Sequence, residues 1–336
     1  MEKIKKSKEL KLREPLFSSY HFQGTATATI LENPTIENWY LNNAVILTCE
    51  RKFLDGFTTP DIRIKHSSFH DCPCYDITWV TGRFLERGFI KLVKNCIDQG
   101  YFVGYNNIDD FYVEGKTFYK KRHFAHDGLI IGYDENDKTF TIYAYDSTWK
   151  YRPFKTPQAG LDKGRRSVLK ENKYTNFMVF KPKSEIIEFS AKTALLNIRE
   201  YLNSNLRIYK KSERGTVYGT AVHKYIEMYL KKLIDGSIPY NRSDWRIMRV
   251  VWEHKKAMLK RLKLIEDELK LNNSLSESYK EAVRLSDKAR ILYASYETKQ
   301  RNDLLIKIIS LIEEIDKIEK STLKKLIRKA EKNEII

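Results

Sequence analysis

The stretch H-D-G-L-I-I-G-Y-D-E-N-D-K-T-F-T-I-Y-A-Y-D, residues 126–146, decides how this chain is read. Two runs rich in β-branched and aromatic residues, 127–132 and 139–145, flank an acidic polar segment. That pattern predicts two antiparallel strands joined by a tight hairpin around Asp134–Lys138. Laid antiparallel, the strands bring His126, at the start of one, close to Asp146, at the end of the other. An imidazole titrates near pH ~6.5 and can take a proton at neutrality, and an adjacent carboxylate fixes its tautomer. His126 and Asp146 are therefore the candidate catalytic base and its orienting acid, two parts of a Cys-His-Asp arrangement. The competing reading is a hairpin with a structural histidine and a turn-ending aspartate. His123 is the nearby rival base. Asp127 points to the opposite strand face and Asp134 is a turn-former.

Outward from the hairpin, strands are expected over 101–105, 175–180 and, more weakly, 111–113, 117–119 and 151–154. Asn33-Pro34 reads as a helix start, with apolar residues at helical intervals through 35–54. Residues 55–76 carry no period and read as an irregular loop. An amphipathic helix is expected over 83–99, ended by Gly100. Past Lys183 strand signals fade. Helical patterns cover 190–204, 216–235, 243–272, 275–300 and 302–333, broken by Gly236–Pro239 and Asn272–Ser274. The fold class is α+β: a helix and antiparallel sheet in a domain over 15–183, then an all-helical bundle or appendage over 184–336.

With 336 residues, 42% hydrophobic, the chain has material for a sizeable core. No apolar window is long enough to span a membrane, and the N-terminus M-E-K-I-K-K-S-K lacks the apolar stretch of a secretion signal, so a cytoplasmic location is expected. Net charge is +17, and residues 207–263 alone hold 15 basic and 5 acidic residues. The excess points to an anionic partner. An acidic carrier protein with a phosphopantetheine arm is one candidate. Nucleic acid is disfavoured, because no helix-turn-helix, zinc-finger or aromatic RNA-binding signature accompanies the charge.

H-x5-G-Y-D at 126–134, followed by a strand ending in Asp146, resembles the papain-like domains of the butirosin biosynthesis protein H family. More distantly it resembles the double-glycine leader peptidases of bacteriocin exporters. Y-G-T-A-V-H-K-Y-I (218–226) and D-W-R-I-M-R-V-V-W-E-H-K-K-A-M-L-K-R (244–261) look like segments of longer members associated with peptide-antibiotic clusters. The resemblance implies a papain-like fold and an acyltransferase. Such an enzyme takes an acyl group from an acyl or peptidyl carrier-protein thioester onto a cysteine and passes it to an amine, forming an amide, as in polythioamide antibiotic pathways of the closthioamide type. It implies no metal and no diffusible cofactor. A peptidase or amidase differs only in letting water attack.

The family's cysteine belongs near the start of the first helix. Here that region reads S-S-Y-H-F-Q-G-T-A-T-A-T-I-L (18–31), with no cysteine. Phe22, Ala26 and Ala28 are the candidate occupants of the nucleophile position. The chain is thus either an inactivated variant, a non-catalytic acyl- or peptide-binding protein, or an enzyme whose nucleophile comes from elsewhere. Gln23 is the candidate oxyanion donor, against the plainer reading of a surface amide. Cys49 and Cys96 fall inside predicted helices and read as buried inert thiols. His66, His70, Cys72 and Cys74 crowd four metal-type ligands into H-x3-H-x-C-x-C, but the spacing is not a usual zinc pattern and chance clustering in a loop is the default.

Overall fold

The computed structural model describes residues 7–29, 34–85, 88–171, 174–204, 215–272 and 274–336. In chain order the elements are β1 (Ser7–Glu9), α1 (His21–Ala28), α2 (Pro34–Asn43), β2 (Leu47–Glu50), β3 (Ile62–Ile64), β4 (Tyr75–Thr81), α3 (Phe89–Asp98), β5 (Phe102–Asp109), β6 (Ala125–Asp134), β7 (Thr139–Tyr145) and β8 (Tyr151–Pro157). There follow α4 (Gln158–Lys170), β9 (Asn176–Pro182), α5 (Ala191–Asn203), β10 (Thr216–Tyr218), α6 (Ala221–Ile234), α7 (Arg246–Glu268), α8 (Ser274–Lys299) and α9 (Asn302–Lys332). The fold is α+β, with antiparallel sheets and a helical C-terminal region. Among the described residues no helix is long and apolar enough to cross a membrane.

The chain divides into two compact units, 1–36 with 73–186, and 37–72 with 187–336. The sheet unit is built on strands in the order β4-β9-β5-β6-β7-β8, with β1 added to β6. All pairings are antiparallel. The hairpin forms where the sequence placed it: Asp134 Oδ1 accepts from the backbone N–H groups of Asn136 (2.9 Å) and Asp137 (3.3 Å), and Lys138 takes a left-handed φ of 54°. Alternation sorts the sheet's two faces. Phe140, Ile142 and Ala144 of β7 join Phe89, Val93 and Ile97, spaced one helical turn apart on α3, and Leu161 of α4 in one core. On the other face Tyr145 OH donates to Ser18 O (2.5 Å), just before α1, and Tyr151 OH lies 3.3 Å from Thr25 Oγ1 within it.

The helical unit packs α5–α9, which lie within a few residues of the expected helical patterns except that the helix expected from 216 begins at Ala221, and Thr216–Tyr218 is instead β10 of a small antiparallel sheet in the order β10-β2-β3. The domain boundary expected after Lys183 needs correction, since Glu37–Cys72 belongs to this second unit. The physical reason is long-range. Arg261 of α7, fully buried, donates to the carbonyls of Leu41 (2.6 Å) and Tyr40 (3.1 Å) and to that of Ala44, closing the end of α2. β10 pairs with β2 in the register Val217↔Cys49. Strand pairing also overturns the helix expected over 35–54, which stops at Asn43 and leaves Cys49 in β2. The loop expected over 55–76 contains β3, and of the weak strands expected at 111–113 and 117–119 the first falls on a short 3-10 helix, Asp110–Tyr112, and the second on a turn. Asn33, the expected helix cap, lies outside the described residues, as does part of the basic stretch from Arg207.

Candidate active site

The site lies in the sheet unit, between the head of α1 and the start of β6. Helix α1 is short and made of small residues from Gly24 on, so it can settle tightly on the sheet. At Gly24 an added Cβ would come within 2.5 Å of the Tyr151 ring, so only glycine admits this packing. Thr27 Oγ1 accepts from Phe17 N (3.1 Å), holding the approach to the helix against its body. These contacts set His21 as the first helical residue, with its ring 5.3 Å from Tyr145, 5.6 Å from Tyr151 and 5.9 Å from His126.

His126 does have a carboxylate partner, and it is Asp110. Nδ1 of His126 lies 2.5 Å from Asp110 Oδ2, whose side chain is 2% exposed. Asp110 is turned inward by the bend that ends β5. There Asp109 Oδ1 accepts from the backbone N–H groups of Phe111 and Phe124, both at 3.1 Å, and Asp109 Oδ2 pairs with His123 Nδ1 at 2.7 Å. The rival histidine is thus engaged in holding the turn. In the tautomer whose Nδ1–H donates to Asp110, Nε2 of His126 is the proton acceptor. Phe124 stands edge-on to the His126 ring at 4.5 Å, and the imidazole is 28% exposed, so it is fixed yet reachable.

Behind the pair, Lys116 Nζ lies 3.8 Å from Asp110 Oδ1 and donates to Asp127 O at 3.2 Å. Burial pushes the Lys116 ammonium below its ordinary range, against the opposing pull of Asp110 and Asp127. Burial likewise pushes the Asp127 carboxyl up. The tightly packed Tyr105 phenol is held well above its usual value by burial and by Asp110 and Asp127.

Asp146, expected to orient His126, does not. Its Oδ1 accepts from Thr148 N and Oγ1, both at 2.7 Å, and from Lys150 N at 3.1 Å, and its Oδ2 accepts from Arg152 Nε. Burial alone would raise its pKa, but these bonds outweigh it and hold the carboxyl at about 2. The hairpin ladder ends at Leu129↔Tyr143, three residues short of His126, so Asp146 is released into its own turn.

Gln23, expected as an oxyanion donor, is fully buried in the body of α1, two residues after His21. Ala26 and Ala28 are fully buried as well, and the residue at the helix head is His21, one position before Phe22. The thiols of the sheet unit are elsewhere. Cys74 is buried, and Cys96 packs against the α3 core on the other face of the sheet, its pKa raised by burial. In the helical unit, burial pushes the Cys49 thiol up to about 12. His66 pairs with Asp71 at 3.3 Å, and among the described residues no group of three or more His, Cys, Asp and Glu side chains could hold a metal ion.

Sequence reasoning therefore missed Asp110 and His21. The available signals were the acidic pair in I-D-D-F (108–111) closing a strand, and a histidine opening the run Q-G-T-A-T-A. No known family model matches the chain, and a search of characterised proteins finds no match.

Proposed function

We propose that the sheet unit is a papain-like acyl-transfer site that forms amides without an enzyme thiol. The observation that supports this most is the His126–Asp110 pair at 2.5 Å, with Asp110 buried and His126 reachable. The sequence resemblance supplies the reaction class. In this reading an acyl group arrives as a carrier-protein thioester and an amine stands against His126 Nε2. The amine nitrogen attacks the thioester carbonyl as His126 takes its proton. The C–N bond forms, the C–S bond breaks, and His126 returns the proton to the departing thiolate. Holding both reactants in place supplies part of what a covalent intermediate would otherwise provide.

The second reading, a protein that binds acyl or peptide ligands without turnover, is favoured by one fact: an imidazole, His21, stands at the helix head where a nucleophilic thiol is expected. Thiol release separates the two. The full chain is incubated with acyl N-acetylcysteamine thioesters and a set of primary amines, with free thiol and amide mass as readouts. Transfer should fall by about 10²- to 10⁴-fold in His126→Ala and by a large part of that in Asp110→Asn. Saturable thioester binding with no thiol release above background would establish the binding reading instead. Release unaffected by His126→Ala would dismiss the site.

A further inference from the structure

The helical unit buries charge where helix packing asks for none. Lys255 of α7 and Glu319 of α9, both fully buried, lie 2.7 Å apart. Lys255 Nζ also lies 3.1 Å from Tyr201 OH, 3.1 Å from His223 Nε2 and 3.3 Å from His254 Nδ1. Well-packed apolar residues of the same volume are often as stabilising as such a pair, so stability alone does not account for it. The network runs outward through His223, whose Nδ1 lies 2.9 Å from Asp316 Oδ1. Asp316 and His223 line a cavity of about 400 Å3 at the head of α6.

Two ion pairs stand in that cavity, Lys224–Glu227 at 2.8 Å and Lys320–Asp316 at 2.6 Å, and their burial is lopsided. The carboxylate side chains are 9% and 22% exposed, whereas their lysines are 65% and 40% exposed. An exposed lysine can swing into water at little cost, because pairs of this kind contribute only about 0–1 kcal/mol. A buried carboxylate left without a cation is far more costly. The fixed charge of the cavity is therefore negative and its movable charge positive, so an incoming group best replaces one ammonium by another. The hydroxyls of Ser204 and Thr220, 3.4 Å apart, add neutral acceptors. The head of α6 offers an anion little, since Ala221 N–H donates to Ser204 Oγ at 3.2 Å and those of Val222 and His223 to the carbonyls of Gly219 and Thr220, both at 3.2 Å.

We infer that this cavity is a second binding site, for a small organic diammonium whose amino groups take over Glu227 and Asp316 from Lys224 and Lys320. Its volume lies in the range of small-molecule sites. The inference is independent of the reaction proposed for the sheet unit.

Isothermal titration of the full chain with 1,4-diaminobutane at low salt tests it. One-to-one saturable binding is expected, weakened about tenfold or more in Glu227→Gln and in Asp316→Asn. Lys224→Ala and Lys320→Ala should each tighten it, because the internal competitor is gone. If Asp316→Asn fails to fold, Glu227→Gln and the two lysine variants carry the test. No saturable heat up to about 10 mM, a Kd at the weak limit of specific binding, would overturn the inference. So would unchanged affinity in Glu227→Gln, or binding of inorganic phosphate in place of the diamine.

Discussion

Replacing His21 by cysteine places a thiol at the head of α1, and its reactivity can be worked out beforehand. The ring centres of His21 and His126 are 5.9 Å apart. A thiolate and an imidazolium at that separation, with an effective dielectric constant of about 20, attract by about 2.8 kcal/mol, which is about two pKa units. Against a protonated imidazole the thiol should then ionise near ~6.5 rather than ~8.5, before any help from the partial positive charge at the helix head. The two titrations are coupled, so at pH 6.5 its thiolate fraction rises from about 1% to about a third. Lower basicity costs about eightfold in intrinsic nucleophilicity, leaving a net gain of about fourfold in alkylation rate at that pH. The assay is iodoacetamide labelling of His21→Cys between pH 5.5 and 9, with mass spectrometry of the peptide containing position 21. Labelling at pH 6.5 should be about fourfold faster than when His126→Ala is added. The same variant should take up acyl groups from a thioester. Equal labelling rates at pH 6.5 in the two proteins would mean that His126 does not face the head of α1 as a base, and the site would fall with it.

Three further outcomes are expected. Glu319→Gln leaves Lys255 buried without its counter-ion and should cost about 3–5 kcal/mol, a Tm loss of roughly 6–20 °C for a unit of this size, while Lys255→Met with Glu319→Leu should recover most of it; calorimetry showing the single variant unshifted would contradict the buried pair. Burial, with the neighbouring Lys255, holds His223 and His254 below the ordinary histidine range. Against burial, Lys255 and the two histidines hold Glu319 at about 2. Each depressed group contributes stability that is present above its unfolded pKa and lost as pH falls, so helical-unit stability should decline from pH ~6.5 and lose about a further 3 kcal/mol from Glu319 between pH ~4.5 and ~2; denaturant titrations giving equal stability at pH 7 and pH 4 would count against the network. Gly24→Val forces a side chain into the Tyr151 ring and should cost about 1–3 kcal/mol while displacing His21; native stability with unchanged labelling at position 21 would argue that α1 does not rest there.

Much of the architecture was legible along the chain because burying one face of an element imposes a short repeat on its own residues. The hairpin at 134–138 needed only alternation and an Asx turn, and α5–α9 needed only apolar residues at helical spacing. Residues 35–54 misled for the converse reason. Their composition suits a helix, but Leu47–Glu50 pairs as a strand between nearby β3 and β10, the latter remote in sequence. The carboxylate of the site misled in the same way. His126 and Asp146 sit at matching ends of a hairpin, and sequence spacing says nothing of where the ladder stops.

From the sequence alone came the α+β class, a helical C-terminal region and His126 as the candidate base, because those follow from local periodicity and residue chemistry. The folded chain alone decided that Asp110 rather than Asp146 meets the imidazole, and that His21 stands at the head of α1. Both depend on which turns satisfy their own carboxylates, as Asp146 is satisfied by Thr148 two residues on, and on contacts that cross the chain, His126 with Asp110 and the Tyr151 ring on Gly24.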